Sequence, residues 1–171
     1  MKKTNRSIDW LIGGVGKASF VVAALAIAFI AISIMWEVIS RYVLGASSIW
    51  VTEVAGYLLA ASLFLGLGRL YRLNGHVRMS ALLDGVGPRT AYALYLLTDL
   101  IVLGFGLVLV WQTGQMAADA YDFKWKSSTL LEAPLYIPQA VMTAGAVVFV
   151  LEIIHTALKR TPEDPTATGE I

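Results

Sequence analysis

Long uncharged apolar runs, separated by short polar segments, set the pattern of this chain. The first spans Ala18 to Trp36 without a charge. As a helix rising about 1.5 Å per residue it covers roughly 28 Å, close to the hydrocarbon thickness of a bilayer. Three runs of similar length follow, at about residues 50–69, 90–117 and 137–158, and the first extends over about 18–40. They are continuous rather than alternating at period two, which reads as helix and not strand. In lipid, every backbone polar group needs an internal partner, and helices supply it. The pattern therefore predicts an all-α integral membrane protein with four transmembrane helices in one domain over residues 1–160.

A cleaved signal peptide is the competing reading of the first run. Lys2, Lys3 and Arg6 resemble a basic leader and Ala24-Leu25-Ala26 a cleavage site. A secretory apolar core covers about 7–15 residues, however, and this run continues ten residues beyond those alanines. It is read as a retained span.

Basic residues predict the orientation. Lys2, Lys3, Arg6 and Lys17 precede the first span; Arg69, Arg72, Arg78 and Arg89 lie between the second and third; Lys159 and Arg160 follow the fourth. The other side carries Arg41, Lys124 and Lys126, with Asp119, Asp122 and Glu132 beside the last two. Both termini are expected in the cytoplasm. Tryptophans and tyrosines fall at the span ends: Trp36, Trp50, Trp111, Trp125 and Tyr136 outside, Trp10, Tyr71 and Tyr92 inside. Between spans two and three, Met79, Leu82, Leu83 and Val86 recur at helical spacing, predicting a short interfacial amphipathic helix over about 76–85. The polar, proline-bearing segment 161–171 is expected to be a disordered cytoplasmic tail.

Composition narrows the function. The chain is 57% hydrophobic and 15% charged, with a mean hydropathy of +0.69. A net charge of +1 argues against a nucleic-acid partner. With no cysteine, thiolate metal sites and disulfides are excluded, and two histidines make a histidine-rich metal site unexpected. No catalytic residue, metal site or cofactor is assigned.

The polar residues within the spans carry the candidate chemistry, because charges at membrane depth are costly. Arg41 and Glu53 flank the first outer connection and are expected to pair across it, as an interhelical brace or a docking point for an outer partner; Glu37, one turn before Arg41, can share its guanidinium. Asp99 lies about 15 Å along the third helix from Pro88. It reads either as a proton- or cation-handling group or as a structural acid bonded to a group such as Ser62. Glu152 and His155 share a helix face near the inner end. His155 with His76 raises a haem-ligation reading, weakened because His76 lies in a loop. Small residues at helical spacing (Ala24, Ala28 and Ala31; Gly56 and Ala60; Ala140 and Ala144) are expected to pack helices together.

The stretches Arg41-Tyr42-Val43-Leu44-Gly45, Trp50-Val51-Thr52-Glu53, Phe64-Leu65-Gly66, His76-Val77-Arg78-Met79 and Ser128 to Pro138 occur in this order across four spans. Together they resemble the small membrane (Q-type) subunit of tripartite ATP-independent periplasmic (TRAP) transporters, from about Trp36 to Arg160. The resemblance implies a large multispan membrane subunit that holds the substrate and sodium sites. It also implies a periplasmic substrate-binding protein, an organic acid such as a dicarboxylate as substrate, and residence in the bacterial inner membrane. In that family the small subunit braces the stationary part of the large one and helps dock the binding protein. Arg41, Glu53, His76 and Arg78 fall within the resembling stretches; Asp99 does not. Two other classes stay open on the residues alone. One is the membrane anchor of a respiratory oxidoreductase, on His76 and His155; the other is a stand-alone proton-coupled exporter, on Asp99 or Glu37.

Overall fold

The computed structural model describes residues 6–46, 48–73, 87–129 and 131–159. Among them are four helices, each long and apolar enough to cross a membrane: α1 (Arg6–Val43), α2 (Ile49–Arg72), α3 (Pro88–Asp122) and α4 (Tyr136–Lys159). The expected interfacial helix over 76–85, with His76 and Arg78, and the tail over 161–171 lie outside the described residues.

Local chemistry explains the ends. After α1, Gly45 takes a left-handed φ of +66°, and the amides of Leu44 and Ala46 both return to the Ser40 carbonyl, at 3.0 and 3.2 Å. That closes the helix in a glycine C-cap and turns the chain tightly into α2. Arg69 and Arg72 in the last turn of α2 complement its dipole. Pro88 opens α3, where its missing N–H costs nothing. The helices run past the expected spans, most clearly in α1, which begins twelve residues before Ala18. Gly13, Gly14, Gly16 and Lys17 weaken the local apolar signal, and packing against the ends of α2 and α4 holds this part helical.

The four helices form an open row. α2 and α4 pack together along their length, α1 lies against α2 and touches α4 at one end, and α3 packs against α4. α2 and α4 are the inner members of the row, and α4 is the most buried of the four. Away from a buried cluster of Tyr71, Phe149 and Ile153, the seams carry mostly small and polar residues. α3 buries Asp99, Gly106, Thr113 and Ala120, at heptad spacing, and α1 buries Gly16, Ala23, Ser33, Glu37 and Ser40. Large side chains such as Ile32, Met35, Leu100 and Trp111 point outward. Between helices in lipid no hydrophobic force selects the large residues for the inside, so close contact goes to small and hydrogen-bonding ones.

The small-residue stripes expected from spacing are therefore out of phase. Ala24, Ala28 and Ala31 are exposed, as are Gly56, Ala140 and Ala144, whereas the neighbouring Ala23, Ala61, Gly145 and Ala146 are buried. The tightest crossing is at Gly145, where an added Cβ would stand 2.7 Å from the Phe64 carbonyl carbon and 2.8 Å from the Leu65 nitrogen. On α3, a Cβ at Gly106 would meet Val150 Cγ2 at 3.0 Å. Tyr71 also departs from expectation. It lies buried with Phe149 and Ile153 in the apolar core rather than at the lipid interface, its ring edge-on to Phe149 at 5.9 Å.

Gly145→Val is expected to force α2 from α4, destabilising by about 1–3 kcal/mol as overpacking does. Gly104→Ala, where a Cβ meets nothing within 4 Å, is expected to leave stability unchanged or raise it. Thermal unfolding of both variants in detergent checks the difference.

Candidate functional site

The end of the row where α1 begins and α4 finishes is here the terminal end; the end carrying the 44–48 connection and the 123–135 segment is the loop end. At each end, carboxylates join one element to another.

At the loop end, Glu37 is buried on α1. One of its oxygens takes the Arg41 guanidinium at 2.7 Å. The other accepts the Ser48 amide at 2.8 Å, and Ser48 is the N-cap of α2. The side chain of Ser48 makes no cap hydrogen bond, so Glu37 supplies the negative oxygen that the helix start favours. The Arg41–Glu53 brace expected from sequence is not the arrangement found. Arg41 pairs within α1, and Glu53 turns toward the segment between α3 and α4. Its Oε1 accepts the Tyr57 hydroxyl at 2.6 Å, and its Oε2 accepts the Thr129 hydroxyl. The separation is physical: Arg41 meets an acid one turn away on its own helix at lower entropic cost than one across a connection.

Beyond α3 the chain forms a small bridged hairpin. Lys126 and Pro134 pair as an antiparallel bridge, the Ser127 amide donates to Ala133 at 2.9 Å and the Leu135 amide to Trp125 at 3.1 Å. Phe123 and Trp125 stack at 5.8 Å. Lys126 pairs with Glu132 at 2.9 Å, and this hydrogen bond holds the Glu132 carboxyl below its usual range.

At the terminal end the charges are buried. Arg72, on the last residue of α2, donates to Glu152 of α4 at 3.3 Å, with side chains 6% and 0% exposed. Two glycines of α1 leave room for the pair. A Cβ on Gly13 would stand 2.8 Å from Arg72 Nη1, and one on Gly16 would collide with Glu152 Oε1. Gly68 of α2 fits less tightly: a Cβ there would stand 3.3 Å from Glu152 Cγ and from the α4 backbone. Asp99 of α3 accepts the Tyr71 hydroxyl of α2, rather than the Ser62 hydroxyl, which donates to the Leu59 carbonyl of its own helix at 2.8 Å. Tyr71 is the penultimate residue of α2, so Asp99 lies near the level of that helix end. The first turns of α3 project beyond it. His155 is buried on α4 near Glu152.

Four acids thus link elements: Glu37 joins α1 to α2, Glu53 joins α2 to the hairpin, Asp99 joins α3 to α2, and Glu152 joins α4 to α2 against α1. Among the described residues no group of three His, Cys, Asp or Glu converges as a metal would require. The haem reading gains no geometry, since His76 lies outside the described residues. Arg72, Tyr71, Thr129, Gly13 and Gly16 were missed as partners. Arg72 reads in sequence as a topology marker, and nothing local signals its contact with a residue 80 positions away.

The sequence profile described as tripartite ATP-independent periplasmic transporters, DctQ component, matches residues 30–162. The ectoine TRAP transporter small permease protein TeaB of Halomonas elongata is 28% identical over 153 residues, covering 90% of this chain and 77% of TeaB.

Breaking the buried pair from one side, as in Glu152→Leu, leaves an unpartnered guanidinium and is expected to destabilise by about 3–5 kcal/mol. Adding Arg72→Met to that variant is expected to restore most of the loss. Denaturant unfolding of the purified chain, read for both variants, distinguishes a pair that matters as a unit from two independent side chains.

Proposed function

The chain belongs to the DctQ component family of tripartite ATP-independent periplasmic transporters, and from that membership we propose that it braces a large, sodium-coupled membrane subunit and helps a periplasmic substrate-binding protein to dock. The observation that carries this reading is the commitment of the four acids. Each is engaged in a contact between elements, which suits a scaffold and leaves no ring of carboxylates for a solute or ion. The open row supports it as well. α1 and α3 present broad apolar faces on opposite sides of the row, available to lipid and to the large subunit.

The transported solute in this proposal is an organic acid. TeaB carries ectoine in its name, so ectoine is a candidate solute. The chain resides in the bacterial inner membrane with both termini in the cytoplasm, a placement supported by the basic residues around the terminal end. The loop-end hairpin then faces the periplasm.

Proteoliposomes test the proposal. With the binding protein and a sodium gradient, the large subunit together with this chain is expected to accumulate solute. The large subunit alone is expected to fall to background, and this chain alone to remain inert. Normal uptake by the large subunit without this chain would overturn the bracing role, and transport by this chain alone would revive the stand-alone exporter.

A further inference from the structure

Two of the sequence stretches described above, Trp50–Glu53 and Ser128–Pro138, meet in space through one contact. Glu53 stands in the first turns of α2, and its two carboxylate oxygens are taken by two hydroxyls, Tyr57 from its own helix and Thr129 from 76 residues away. Tyr57 orients the carboxylate; Thr129, with the neighbouring Ser127 hydroxyl that also reaches Glu53 and Tyr57, is what it holds. The Thr129 hydroxyl oxygen also stands 3.1 Å from the Ser127 hydroxyl and accepts the Leu131 amide at 3.4 Å. One hydroxyl therefore ties the tip of the hairpin both to itself and to α2.

The remaining bonds of the hairpin set its shape but not its tilt. The bridge at Lys126 and Pro134, the Lys126–Glu132 pair and the stacked Phe123 and Trp125 are all internal to it. At its root it is held by the Trp125 amide donating to Ala120 and by Tyr121 set edge-on to Tyr136. A root alone leaves a rigid arm free to swing, and a contact at the tip acts with the longest lever. The arm displays Phe123, 69% exposed, and Trp125, 48% exposed, the latter flanked by Lys124 and Lys126. Aromatic side chains are enriched at protein contacts relative to the rest of a surface.

We propose that Glu53 and Thr129 form a latch that fixes the angle of this hairpin to the helices, so that its aromatic pair is presented in one orientation to the soluble binding protein. The latch residues are positioning residues, not part of the contact surface. The inference rests on the docking reading above, and its test separates the two.

In the complete transporter, Thr129→Val, made in a Ser127→Ala background so that no second hydroxyl reaches Glu53, removes the hydroxyl at nearly constant shape, and Thr129→Ser keeps it. Two readouts are taken: amide hydrogen exchange over residues 123–135, and sodium-driven uptake as a function of binding-protein concentration. For Thr129→Val the hairpin amides are expected to exchange faster. The half-saturating concentration of binding protein is expected to rise about three- to tenfold, the scale of one lost hydrogen bond, while the maximal rate holds. Thr129→Ser is expected to behave as the unaltered chain in both readouts. Unchanged exchange in Thr129→Val would overturn the latch. Faster exchange with an unchanged half-saturating concentration would leave the latch standing and overturn the docking of the binding protein on this hairpin.

Discussion

Removing an ion from water is the costliest step this sequence takes, and the Arg72–Glu152 pair is where it does so most completely. A charge in a lipid-facing protein persists when a partner and a tailored space offset its desolvation. Both are present here. The two side chains face each other across α2 and α4, and the glycines of α1 admit them without a Cβ in the way. The pair thereby fixes three helices at one level. Tyr71, next to Arg72 in sequence, adds the fourth by reaching Asp99. Remove one partner alone and the other is left charged and buried where three helix ends meet.

The same constraint explains why the molecule is a row and not a closed bundle. Lipid surrounds the outward faces as comfortably as another helix would, so large side chains gain little by turning inward. Contacts form where glycine, alanine, serine or threonine allows backbones to meet, and those residues favour α2 against α4 and α3 against α4. What remains outside is two apolar walls on α1 and α3. A subunit built this way can present extended surfaces to a larger neighbour.

Legibility in the sequence followed the range of the interactions. The four helices were readable because hydrophobic run length is a local property matched to bilayer thickness. The start of α1 was not, since Gly13 to Lys17 stays helical through contacts with α2 and α4. Periodicity revealed that small residues pack these helices but not which face does so, and the expected stripes were displaced by a residue: Ala24 for Ala23, Ala60 for Ala61, Ala144 for Gly145. The acids that matter were recognisable because a carboxylate in an apolar run stands out. Their partners were not. Glu53 reaches 76 residues forward and Arg72 reaches 80, and Tyr71 looked like an interfacial aromatic until Asp99 gave its hydroxyl a partner. Glu37 with Arg41 was legible because one helical turn separates them.

The central claim is that the helices hold a fixed geometry while the large subunit moves. The natural chain has no cysteine, so paired spin labels at the exposed positions Met35 on α1 and Leu107 on α3 report the width of the row without background. Pulsed electron resonance on the complete transporter, empty and then loaded with sodium, solute and binding protein, measures that distance directly. One narrow distribution, unchanged on loading, is the predicted result; a shifted or divided distribution would contradict the account.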